Sequence, residues 1–229
     1  MNQKPNLILR SLILVLLSLT AAMTLLAAIG TTCVAFNAEN YGPRMALMAP
    51  VKPVLQVLVF VSLAAGLVGV FSIVQLARSR HNAYQQALSF LFVGLVASGV
   101  QFYYSLTLRG STAPNNVRLY LTGFTLLVLL LTRLPGIWQL SGFGNQQAGS
   151  GTAGGAGGIA LLVCGLVVIT TPAWAAPTHV IQGNNTANVL FWPLLAVGAG
   201  LILVGGMKMC GARIGKRQKA ASSLQETIL

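Results

Sequence analysis

Apolar residues fall in long unbroken blocks along this chain, separated by short polar stretches. They do not alternate as in a half-buried strand or recur on one face as in a surface helix. A helix needs about 20 apolar residues to cross a bilayer core, because every backbone polar group must be satisfied within the segment there. Six blocks reach or approach that length: Leu7 to Ile29, Val54 to Leu76, Ala87 to Leu108, Leu119 to Leu131, Ile159 to Thr171, and Val189 to Met209. Pro53 opens the second block, where a first helical turn tolerates proline, and Pro193 sits in the first turn of the sixth. The fourth is short. It can extend through Arg133 to Trp138 if the arginine snorkels, with Pro135 bending or ending it. Pro172 is expected to stop the fifth. Lys4 and Arg10 make a basic flank like that of a signal peptide, but the apolar block is too long and no clean cleavage site follows it. It reads as a retained span.

The pattern therefore predicts an all-α, polytopic integral membrane helix bundle of about six transmembrane helices. Between the fourth and fifth blocks lies SGFGNQQAGSGTAGGAGG, Ser141 to Gly158, in which Gly is the commonest residue. Such composition behaves as flexible coil. The expected organisation is a four-span module over 1–140, a Gly-rich linker over 141–158, a two-span module over 159–210, and a basic tail over 211–229.

Composition sharpens this picture mainly by exclusion. Hydrophobic residues make up 55% and charged residues 7%, and the only carboxylates are Glu39 and Glu226. Carboxylate-pair catalysis and all-protein Ca²⁺ or Mg²⁺ cages need clustered acidic oxygens. The net charge of +12 does not point to nucleic acid, because the basic residues sit between apolar blocks. Cys33, Cys164 and Cys210 fall in separate segments with no metal or disulfide spacing. No nucleophile elbow, zinc helix or phosphate loop is present, so no enzyme activity, cofactor or metal is expected. His81 and His179 lie in loops on opposite sides; each is read as a solvated residue, with ligation of a pigment or metal in a complex as the alternative. No ionisable residue falls near the centre of any of the six blocks, which removes the usual residues for proton relays and coupled ion transport.

Charge also orients the chain. With six spans and the N-terminus inside, the inner face holds Lys4, Arg10, Arg78, Arg80, Arg133, Lys208, Arg213, Lys216, Arg217 and Lys219. The outer face holds Arg44, Lys52, Arg109 and Arg118. This bias predicts a plasma membrane protein, in keeping with a bacterial inner membrane, with both termini cytoplasmic. The tyrosines and tryptophans fall near block ends, as the interfacial preference of amphipathic rings requires.

Two sets of residues carry candidate function. Small residues at helical spacing let helices approach closely: Ser62, Ala65, Gly66 and Gly69 in the second block, Gly94, Ala97, Ser98 and Gly99 in the third, Ala196, Gly198, Gly200, Gly205 and Gly206 in the sixth. Most are expected to pack within the chain, with the sixth block free to meet another membrane protein. The segment Lys208 to Lys219 carries Lys208, Arg213, Lys216, Arg217 and Lys219 and no acid, a pattern suited to anionic lipid headgroups. Ala173-Trp174-Ala175 is shaped like a signal-peptidase site, though internal. The functional expectation is an accessory or scaffolding subunit of a larger membrane assembly, with membrane lipids and another membrane protein as partners. The alternative is a small transporter or pore for a neutral or apolar solute.

Overall fold

A computed structural model describes the backbone of residues 6–80, 82–143, 150–175, 180–181, 184–185 and 191–228; side chains are described for these except 150–153, 174–185 and 212–228. Eight helices follow in chain order: α1 (Leu7–Asn37), α2 (Pro43–Ala46), α3 (Lys52–Ala77), α4 (Ala83–Arg109), α5 (Asn115–Leu131), α6 (Pro135–Ser141), α7 (Ser150–Ala175) and α8 (Phe191–Ile228). A two-residue antiparallel ladder, Val180–Ile181 with Asn184–Asn185, lies between the last two. The protein is an all-α helix bundle. Among the described residues five helices are long and apolar enough to cross a membrane, and α5 with α6 makes a sixth candidate, bent by 101° at the break.

The helices run longer than the apolar blocks at several ends, for local reasons. Asn6 caps α1, its side-chain oxygen accepting from the Ile8 and Leu9 amides at 2.9 and 3.3 Å. At its other end α1 continues to Asn37, into the expected loop, which itself winds into two 3-10 turns and α2. Lys52 Nζ donates to Glu39 Oε1 at 2.6 Å across that loop, and Gln56 Nε2 donates to the Ala35 carbonyl at 3.1 Å. Pro53 stands in the first turn of α3 as expected. Pro135 does break the fourth span: Leu134 before it is extended, with ψ 134°, and Pro135 starts α6. The span gains its length at the other end, because α5 begins at Asn115 and not at Leu119. Pro172 does not stop the fifth span. It lies inside α7, whose last turn follows at once, and Thr171 Oγ1 donates back to the Val167 carbonyl at 2.9 Å. Ala173-Trp174-Ala175 is helical, as the end of α7.

Four helices close a ring. α1 packs on α3, α3 on α4, α4 on α5, and α5 returns to α1, each antiparallel to its neighbours. α7 lies outside the ring, chiefly against α1, and α8 lies chiefly against α7. One apolar core joins Ile13, Leu14 and Leu17 of α1 to Leu76, Phe90, Leu91 and Leu129, and also to Ala156 and Ala160 of α7. Of the expected linker over 141–158, residues 144–149 lie outside those described. Residues 150–158 are helical, because a Gly- and Ala-rich segment at membrane depth must satisfy its own backbone, and α7 shares the ring's core.

Candidate functional site

Small residues bring the helices close enough to build an interior. A Cβ added at Gly66 would lie 2.5 Å from Leu25 Cδ2 of α1, and one at Gly69 would lie 2.9 Å from Phe90 Cε2 of α4. A Cβ added at Gly94 would lie 3.7 Å from Thr122 Cγ2 of α5, Ala65 is buried, and Ser98 is fully buried with its hydroxyl donating to the Leu95 carbonyl at 3.0 Å. Ser62 is buried too, but it does more than pack, as described below. In α8 the small residues divide between two faces. Ala196 is exposed and Gly200 has nothing within 4 Å of an added Cβ. The α7-facing residues are Gly198 and Gly205, each against a glycine of α7. An added Cβ would lie 2.6 Å from the Gly198 carbonyl oxygen if placed on Gly165, and 2.8 Å from the Gly205 carbonyl oxygen if placed on Gly158. The two pairs are spaced two helical turns apart on both helices, so the backbones run nearly in contact.

Within the ring the interior is polar. Thr20 of α1 meets Thr125 of α5 at 2.9 Å between hydroxyl oxygens. Each of these hydroxyls also reaches its own helix's carbonyl one turn back, as do Thr24 and Thr122, which is how a hydroxyl survives in an apolar span. Nearer the end where α5 starts, Asn115 Nδ2 donates to Ser105 Oγ at 2.8 Å. Between these two levels lies a buried cation. Arg118, 2% exposed, donates from Nη2 to Ser62 Oγ at 2.9 Å and from Nη1 to Gln101 Oε1 at 3.2 Å; Gln101 Nε2 in turn donates to Thr31 Oγ1 at 2.6 Å. All four ring helices thus meet at one guanidinium.

Its depth matters. Ser62 lies about 15 Å along α3 from Lys52 at the helical rise of about 1.5 Å per residue, so Arg118 is bound well away from the end of that helix. Arg118, expected on the outer face, lies in the first turn of α5, and its guanidinium turns into the bundle. Arg10, expected as a flank, is also fully buried. Its Nη2 donates to the Ala77 carbonyl at 2.8 Å and to Ser79 Oγ at 2.9 Å, and its guanidinium lies 5.2 Å from the Phe143 ring centroid. Arg10 therefore caps the C-terminus of α3, where the helix dipole favours a cation. Arg133 lies over the rings of Tyr84 at 4.4 Å and Trp138 at 4.7 Å, which anchors α6 across the bundle's end.

The basic segment Lys208 to Lys219 continues α8 as one helix; Lys208 is exposed, and the side chains of Arg213, Lys216, Arg217 and Lys219 lie outside those described. His81 and His179 lie outside the described residues, as does most of the segment between α6 and α7. Among the described residues no group of His, Cys, Asp and Glu could hold a metal ion. No family model, curated protein or solved structure matches the chain, so any functional reading rests on its own residues.

Proposed function

We propose that this protein is a non-catalytic accessory or scaffolding subunit of a membrane assembly, with α8 as its docking element. The supporting observation is the exposure of α8. Only 11% of the residues in its apolar segment are buried, against 39–44% in the other long helices. Its outward face combines apolar bulk at Val197, Leu203 and Val204 with open glycines at Gly200 and Gly206, so another membrane helix could approach its backbone closely. The proposed setting is a plasma membrane with both termini cytoplasmic. Cysteine placed at Thr112 should then be labelled from outside and cysteine at Ser222 only after permeabilisation. The basic tail is proposed to gather anionic headgroups beside the docked helix.

The direct test is detergent extraction of the native protein, affinity recovery and mass spectrometry. A stoichiometric membrane partner is expected, and Gly200→Leu should reduce its recovery while leaving this chain's expression unchanged. Recovery of the chain alone, or equal loss of chain and partner, would remove the support for docking.

A second reading, a pathway for a small solute along the ring axis, draws on the hydroxyls between α1, α4 and α5. The buried guanidinium changes the expected solute. A cationic interior suits an anion better than a neutral or apolar molecule.

A further inference from the structure

Among the described side chains Arg118 is a charge without a counter-charge. A guanidinium carries five N–H donors and no acceptor. Two of them are engaged, by Ser62 and Gln101, and Arg118 Nε has no partner among the described residues. Both partners are neutral. Of the two carboxylates in the chain, Glu39 sits beyond the end of α1 with its oxygens on Lys52, and Glu226 stands near the end of α8, a helix that packs chiefly on α7. Among the described side chains no carboxylate lies near the ring's interior. Burial of a lone ion costs several kcal/mol even after relaxation, and hydrogen bonds from neutral groups offset only part of that.

The groups around the guanidinium are richer in donors than in acceptors. Ser62 accepts from Arg118 and keeps its own hydroxyl proton to give. Gln101 presents its carbonyl to Arg118 but spends its amide on Thr31. Asn115 adds a second amide next to Ser105, one turn from Arg118 on the same helix. Donors gathered around a cation in low dielectric favour an anion, and no carboxylate among the described side chains competes.

We propose that Arg118, with Ser62 and Gln101, forms an internal binding site for a small inorganic monoanion of halide size. Size follows from enclosure. Arg118 is closed in by α1, α3, α4 and α5, so a lipid headgroup or a partner's side chain cannot reach it without opening the ring. The bound anion accepts from the unengaged N–H groups and neutralises the site. It thereby stabilises the folded ring by mass action.

The site is tested on the full-length purified protein, with chloride as the probe and gluconate, too large to enter, as the reference. Raising chloride from about 1 to about 100 mM should raise the melting temperature by about 2–4 °C, and should broaden the ³⁵Cl resonance of the bulk ion. Arg118→Gln should abolish both responses. Gln101→Glu is the sharper variant, because it sets a carboxylate beside Nη1 without changing side-chain length. It should melt higher than wild type in gluconate and lose the chloride response. A wild type whose melting and linewidth ignore chloride, or a Gln101→Glu that keeps the full response, would overturn the proposal. So would failure of Gln101→Glu to fold, since an uncompensated guanidinium should welcome that carboxylate.

Discussion

The ring of α1, α3, α4 and α5 and the hairpin of α7 and α8 solve the same packing problem with opposite interiors. In the ring, bulky apolar residues such as Ile13, Leu14, Phe90 and Leu129 surround a line of hydroxyls, amides and one guanidinium. In the hairpin, glycine meets glycine, with Gly165 against Gly198 and Gly158 against Gly205, and the space between is backbone. The difference teaches where specificity can come from when lipid is as apolar as the side chains. The ring is fixed by hydrogen bonds that have few alternatives in hydrocarbon, whereas the hairpin is fixed by shape alone. Shape is intolerant of added volume; a hydrogen-bonded interior is sensitive to changed chemistry.

That contrast can be broken most severely in the hairpin. Gly165→Leu drives a branched side chain into the Gly198 carbonyl and should cost about 3 kcal/mol of α7–α8 association, the upper range for overpacking, since backbone cannot swing aside. Disulfide trapping between cysteines on the facing sides of α7 and α8 should disappear, while melting of the ring changes little. Gly66→Val makes the same kind of insertion in the ring, but there the obstacle is the flexible end of Leu25. A smaller loss of about 1–2 kcal/mol is expected, read as a lowered melting temperature of the whole protein.

The basic end of α8 sharpens the comparison further out. Because the helix is unbroken beyond Gly211, Arg213 stands about 3 Å past the apolar segment and Lys219 about 12 Å past it at the helical rise. Headgroup attraction fades over about 8 Å at physiological salt. Lys208→Gln with Arg213→Gln should therefore weaken retention of anionic lipid by the full-length protein by about 1 kcal/mol per residue, and Lys219→Gln by less. Binding that ignores salt would count against a headgroup role. The smallest effect belongs to the ring's hydroxyls. A double-mutant cycle on Thr20→Val and Thr125→Val should show a coupling of about 0.6 kcal/mol, typical of hydrogen bonds between membrane helices. A coupling of zero would mean that each hydroxyl is satisfied by its own helix.

Much of this architecture is legible in the sequence, because the bilayer allows so few solutions. Long apolar blocks must be helices, and Pro53 and Pro135 mark boundaries where the structure has them. Gly66 and Gly69 stand out for the same reason that they pack. The interior site was hidden by a boundary. Reading the fourth span from Leu119 cuts Asn115 and Arg118 away from Thr122, Thr125 and Leu129, yet together these residues recur every three or four positions and form one buried, mostly polar stripe on a single helix face. Gln101 and Ser105 continue the spacing of Gly94 and Ser98 on α4. Those two stripes are the signal that spans four and three share a polar interior. Pairings between α1 and α5, or between Gly165 and Gly198, depend on which helices become neighbours, and periodicity within one helix does not contain that information. The glycine-rich segment misleads because its composition means coil in water and close-packed helix in lipid.

The claim on which the ring and its buried cation both depend is that α5 returns to α1, closing four helices around Arg118. Cysteines at Thr20 and Thr125 in an otherwise cysteine-free chain test it directly. The hydroxyl oxygens they replace are 2.9 Å apart, within reach of a disulfide after small side-chain adjustment. Mild oxidation in native membranes should cross-link this pair nearly completely, while cysteines at Leu12 and Phe124, exposed on the same two helices, should not join. No cross-link at 20 and 125, or an equal yield for the exposed pair, would contradict the closed ring and with it the enclosed anion site.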